Sequence, residues 1–185
     1  TSSDDTVVES TTALIPITDA TKWTGNTDKI TANGTFAAVT GEGNENAITT
    51  VDTFDFGNKL KVSGTLVQRG VSGNTPAKSY VKAGDFKFEI EDDCTSLYVR
   101  AVMGEEVVYE ESWTRDELNS TGMLYKHFYK VNFNVTIDNT TKTVVLDYIT
   151  GNRYAAEAQT ITGTGTYTGD YSFDGVNCVA SYKSM

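Results

Sequence analysis

The sequence predicts an all-β fold, an antiparallel sandwich or barrel with at most one short helical turn. Three observations carry this. Apolar and polar residues alternate with a period of two along much of the chain. Thr, Val, Tyr and Phe, which suit a pleated and half-buried surface, are abundant. Gly and Asn or Asp gather between the alternating runs, where turns need them, and Pro occurs only twice in 185 residues. The length is that of one domain with room for a core that needs no metal or disulfide staple. Residues 1–5 are polar and without a pairing pattern, so they are expected to form a disordered tail, leaving 6–185 as a single sandwich domain. The start has no initiator Met, basic region or apolar run, so no signal peptide is visible and the chain reads as a piece of a larger multidomain protein.

The elements follow in order. Between Asn58 and Leu66 the apolar residues fall at Leu60, Val62 and Leu66, with Lys59, Lys61, Ser63 and Thr65 opposite. Phe86, Phe88 and Ile90 make the next apolar face, and Leu97, Val99, Ala101 and Met103 the one after. The longest run spans Tyr125 to Ile137. It turns through Asp138-Asn139-Thr140-Thr141-Lys142 into Thr143–Ile149, and Asp174-Gly175 precedes a closing strand, Val176 to Tyr182. The expected core is Phe86, Phe88, Ile90, Leu97, Val99, Val131, Phe133, Val135 and Leu146. Thr114 and Glu117 have the S/T-x-x-E spacing of a capping box, so one helical turn is expected there. Thr160, Thr162, Thr164, Thr166 and Thr168 occupy alternate positions. This Thr ladder is read as a solvated strand face rather than an ice-binding surface, because no neighbouring segment repeats it.

Charge and motif content exclude several function classes. With 15 basic and 25 acidic residues the net charge is −10, which argues against nucleic acid or an anionic membrane surface as partner. No apolar run is long enough for a membrane span, so no membrane insertion is expected. His127 stands alone and in phase with strand residues, and neither a nucleophile elbow nor a phosphate loop occurs. Cys94 and Cys178 are too isolated for a zinc site; their spacing fits a disulfide and two separate thiols equally. Asn33, Asn119, Asn134 and Asn139 begin glycosylation sequons, which an Asn- and Thr-rich chain produces by chance.

The aromatic-rich strand, the D-N-T-T-K turn and T-V-V-L-D-Y-I-T-G-N-R, between His127 and Arg153, resemble the back half of laminin-G-like or concanavalin-A-like jelly-roll domains. The Thr53-Phe54-Asp55-Phe56-Gly57 segment, followed by Leu60–Leu66, resembles an early strand of the same folds. The resemblance implies a single antiparallel β-sandwich of jelly-roll type, similar to a carbohydrate-binding module. It implies a polysaccharide or cell-surface glycan as partner, and an extracellular, cell-surface or virion setting.

Sugars offer flat C–H faces, so recognition pairs exposed aromatic rings with polar groups that fix orientation. Trp113 and Tyr154, in polar stretches, are the candidate platforms, with Arg115, Asn152 and Arg153 as hydroxyl partners and Trp23 and the outward-facing tyrosines next in line. Asp92 and Asp93 are candidate Ca²⁺ or hydroxyl ligands; calcium takes six to eight oxygens, and jelly-roll sugar binders commonly hold it. Glu89, Glu91 and Asp93, at i, i+2 and i+4, resemble the E-x-D-x-E row of concanavalin-like glucanases but depart from it at two positions. A glycoside hydrolase using these three is therefore the alternative to a non-catalytic binding module. A structural or adhesive tail or fibre domain that contacts protein is the third reading.

Overall fold

The computed structural model describes residues 17, 19–30, 36, 45–69, 77–114, 116–117, 128–151 and 159–183. The expected tail, residues 1–5, lies outside them. Among the described residues, strands β1 (Trp23–Gly25), β2 (Glu45–Thr50), β3 (Lys59–Arg69), β4 (Ala77–Ala83), β5 (Phe86–Asp92), β6 (Ser96–Met103), β7 (Glu106–Thr114), β8 (Phe128–Asp138), β9 (Thr143–Gly151), β10 (Gln159–Thr166) and β11 (Cys178–Lys183) build two antiparallel sheets. The larger has the order β1-β2-β11-β4-β5-β6-β7 and the smaller β10-β9-β8-β3. Consecutive strands β4 to β7 and β8 to β10 form meanders, whereas β3 and β11 cross between sheets, and the result is an all-β sandwich of the jelly-roll kind. Among the described residues, helical structure is confined to short 3-10 turns at Ala20–Lys22 and Thr27–Lys29 and to Asp116 and Glu117. At the last of these the capping box forms in both directions. Thr114 Oγ1 accepts the Glu117 N–H at 3.2 Å, and the Glu117 carboxylate accepts the Thr114 N–H at 2.9 Å.

The core follows the period-two pattern. All nine residues expected inside are buried, together with Leu60, Met103, Ile137, Val144, Tyr148, Tyr167 and Phe173. Phe88 of the larger sheet stacks on Phe133 of the smaller with ring centroids 4.3 Å apart, and the Tyr148 edge packs against Phe88. Tyr148 has its hydroxyl 2.8 Å from that of Tyr109, so a hydrogen bond ties β9 to β7 across the interior. Burial and this bond raise the Tyr148 pKa, keeping the phenol neutral.

Cys94 and Cys178 are both free. Cys94 follows β5, whose last residue Asp92 faces Ala77 at one end of β4, while Cys178 faces Ala83 at the other end. Six residues of extended strand put them roughly 20 Å apart, far beyond disulfide reach. Cys178 packs against the core, and burial pushes its thiol up to about 11.

The Thr ladder explains itself through the residues between its members. Thr160, Thr162, Thr164 and Thr166 are exposed, while Ile161, Gly163 and Gly165 turn inward. There β7 comes close. A β-carbon on Gly163 would lie 2.3 Å from the Tyr109 ring, and one on Gly165 only 1.9 Å from the Val108 carbonyl oxygen. Val108 is the extra residue of a bulge, since Ala101 faces Tyr109 and Val102 faces Val107. The alternation of Thr and Gly is thus a β-forming outer face backed by an inner face stripped of side chains.

The segment 167–177 runs from one sheet to the other and is fastened by the Glu106 carboxylate. Glu106 accepts the Thr168 N–H at 2.9 Å, the Tyr171 hydroxyl at 2.7 Å, the Thr168 hydroxyl at 2.8 Å and the Gly169 N–H at 3.1 Å. Hydrogen bonds to the charged form, that of the Thr168 N–H foremost, hold its pKa down to about 2. Tyr171, donating to it, is pushed up to about 12.

Three outcomes are expected from urea unfolding. Phe133→Ala should cost ~3–5 kcal/mol through lost burial and a cavity, and Gly165→Ala ~1–3 kcal/mol because backbone must move, while Thr164→Ser stays within about 0.5 kcal/mol. The Glu106 carboxylate, with its folded pKa below the ordinary 4.5, contributes stability that is complete above that value and lost as pH falls toward about 2. Glu106→Gln should therefore flatten the acid limb of the stability profile over that interval while lowering the plateau above it.

Candidate binding surface

Strand alternation that sends Phe86, Phe88 and Ile90 inward sends Lys87, Glu89 and Glu91 outward, and the antiparallel register carries that face across the larger sheet. One transverse row reads Ser181, Tyr80, Glu89, Arg100 and Glu110 on strands β11, β4, β5, β6 and β7. The next row reads Lys78, Glu91, Tyr98 and Ser112 on β4 to β7. On the other side Val179, Lys82 and Lys87 line up on β11, β4 and β5.

The third row brings two cations together, but across the rows opposite charges pair. The Lys78 ammonium lies 3.0 Å from Glu89 and 3.9 Å from Glu91, and Lys87 lies 3.7 Å from Glu89. Arg100 bridges two strands, with Nη1 2.7 Å from Glu91 and Nε 2.6 Å from Glu110. Burial lowers the Arg100 pKa, but the two carboxylates outweigh it and the net shift is upward. Glu89 is the most enclosed member, 4% exposed although it faces outward, because the Lys78 and Lys87 stems close over it.

Two tyrosines complete the surface. The Lys87 ammonium sits 5.3 Å from the centre of the Tyr80 ring, and the Arg100 guanidinium 4.4 Å from that of Tyr98. The Tyr80 hydroxyl donates to Glu45 at 3.0 Å, and Ser181 donates to the same oxygen. The negative charge of Asp93 raises the Tyr98 pKa. Beyond Lys82 the surface runs into a shallow recess of about 500 Å³, where Thr49, Asp85, Asp174 and Asn177 supply polar groups.

The residues singled out from sequence are placed as follows. Trp113 faces Leu97 across β7 and β6, so it points to the inner side of an edge strand and packs partly buried against the core. Trp23 is buried at the start of β1. Asp92 ends β5 on its inward face and accepts the Cys94 N–H at 2.8 Å. Asp93 has left the strand. One of its oxygens accepts the N–H groups of Thr95 and Ser96 and the Thr95 hydroxyl at 2.8–2.9 Å. Burial raises its pKa, and these bonds overcome it to leave a net lowering. The three-acid row is corrected accordingly: Glu89 and Glu91 share a face, and Asp93 belongs to the hairpin turn. Among the described residues no group of three or more His, Cys, Asp or Glu could hold a metal ion. Arg115, Asn152, Arg153, Tyr154 and His127 lie outside the described residues. Tyr80 and Tyr98 fall among the outward-facing tyrosines expected as reserve platforms but are not singled out by sequence, nor are Lys78, Lys87 and Arg100, because they meet only across strands; the Lys-x-Tyr-x-Lys alternation at Lys78, Tyr80 and Lys82 was the available signal.

No family model and no curated protein matches the chain. Among solved structures it is similar to a legume lectin-like domain from Entamoeba histolytica, at 10% identity and a TM-score of 0.33, over 80% of this chain and 82% of that one. No helix among the described residues is long and apolar enough to cross a membrane.

Because its ring packs on the core, Trp113→Ala should lower stability by ~2 kcal/mol in urea titration. A change under about 0.5 kcal/mol, within the range of ordinary surface substitutions, would return Trp113 to the role of an exposed platform.

Proposed function

We propose that the chain is a non-catalytic carbohydrate-recognition module of a larger extracellular, cell-surface or virion protein, and that the outward face of β4, β5 and β6 holds the sugar. The observation that supports it is the placing of Tyr80 and Tyr98 beside registered rows of Lys, Glu and Arg. A pyranose ring laid on a tyrosine gains apolar contact through its C–H face, and the flanking charged groups meet its hydroxyls as donors and acceptors. Both glutamates are held by cations, and Asp93 is bound into a turn, so the face suits binding better than acid and nucleophile work, which needs two carboxyls presented to one bond.

The test is a panel of soluble polysaccharides in affinity electrophoresis and calorimetry, with calcium and with chelator. Binding is expected for at least one polymer, with no release of reducing sugar, and Tyr80→Ala or Tyr98→Ala should weaken it about tenfold, the loss of one stacked ring. Sensitivity to chelator would add a metal to the site. Equal binding by both tyrosine variants, with loss in Tyr154→Ala, would move the site to Asn152, Arg153 and Tyr154. Failure to bind any polymer would favour the protein-contacting reading.

A further inference from the structure

The outer edges of the two sheets are not treated alike. β1 is three residues long and ends at Gly25. β7 carries Glu106, Glu110 and Glu111 and the bulge at Val108. β3 presents exposed Lys59 and Lys61. Shortness, bulges and charges are the devices that keep a strand edge from pairing with another chain. β10 has none of them. Its eight residues, Gln159–Thr166, include no charge and no proline, and its register with β9 is unbroken.

The direction of its backbone groups follows from one hydrogen bond. The Tyr167 N–H donates to the Lys142 carbonyl at 3.1 Å, toward β9. Successive residues of an antiparallel strand present their N–H and C=O groups to opposite sides. Thr160, Thr162, Thr164 and Thr166 therefore aim theirs off the edge. At Thr168, the next in that series, Glu106 takes the N–H at 2.9 Å. No other described residue takes the remaining four.

We propose that the β10 edge accepts an extended segment of a partner protein as a fifth strand of the smaller sheet, with basic side chains at its inward-facing positions. β7 lies under the inner side of β10, within reach of Gly163 and Gly165. From Glu106 to Thr114 that strand has three glutamates and no Lys or Arg. Glu106 and Glu110 are engaged by the Tyr171 loop and by Arg100. Glu111, which faces Val99 and so stands on the inner side of β7, is exposed; among the described residues its one hydrogen bond is with the N–H of the next residue, Ser112. An inward side chain on an added strand runs alongside β7 and meets that carboxylate. A cation there gains an ion pair, and backbone hydrogen bonds to the four threonines supply the rest. A second copy of this chain is the poorer occupant, since it brings its own Glu111 and a charge of −10 against the first.

The test uses a short labelled peptide alternating threonine and lysine, and its glutamate counterpart, in anisotropy titrations at low salt. The lysine peptide should bind and the glutamate peptide should not, and Glu111→Lys should weaken the lysine peptide roughly two- to fivefold. Thr162→Pro removes an edge N–H that β9 does not use, and should weaken binding about tenfold. Should that variant fold poorly, amide exchange on the unmodified protein decides: the peptide should slow exchange at Thr160, Thr162, Thr164 and Thr166. Absence of that protection, or equal affinity for both peptides, overturns the proposal. A concentration-dependent dimer that alone protects the same amides overturns it in favour of self-pairing.

Discussion

The stack of Phe88 on Phe133 is the contact from which the rest of the arrangement follows. Each ring comes from an interior strand of its sheet, so their contact sets the spacing of the two layers and the phase of β5 and β8. Side chains on a strand alternate strictly, and a slip of one residue would bury Lys87, Glu89 and Glu91 and expose three large apolar groups. Desolvating those charges would cost far more than any rearrangement of the face could recover. The outward charge lattice is thus a consequence of aromatic packing on the opposite side of the same strand.

Gly64 shows how tightly that centre is built. A β-carbon there would come within 3.3 Å of the Phe133 ring, so the absence of a side chain on β3 gives the ring its seat. The same solution recurs at the open side of the sandwich, where Gly163 and Gly165 admit β7. At Gly64, Gly163 and Gly165 packing is adjusted by omission rather than by bulky residues filling space.

These relations bear on what could be read in the chain alone. Alternation is a local signal, so the core faces of β5, β6, β8 and β9 were legible, as was the Thr114–Glu117 cap. Glu89 and Glu91 were placed correctly on one face, but the row was extended through Asp93 because periodicity does not announce where a strand stops. The stop is set by Asp93 itself, whose carboxylate folds back on Thr95 and Ser96. Trp113 looked exposed from its polar neighbours, yet its orientation depends on the register with Leu97, which is a pairing property. Tyr80, Tyr98 and Arg100 become a surface only when three strands are laid side by side, and a linear text holds no direct record of that. For the Thr ladder the informative letters were the glycines between the threonines.

The position of β11 has a consequence for the making of the protein. It lies in the interior of the larger sheet, between β2 and β4, yet follows both in the chain, and Ser181 meets Glu45 across 136 residues. On a ribosome, β2 and β4 emerge long before the strand that joins them. Until Cys178–Lys183 appears the sheet is two fragments, separated by a slot about 9–10 Å wide once they are aligned. Topologies with such distant pairings fold slowly, and their waiting edges are open to strangers during synthesis. The nascent chain therefore carries unpaired strand edges until late, and a break shortly before Cys178 would leave a polypeptide with most of its core residues and no means of uniting its larger sheet.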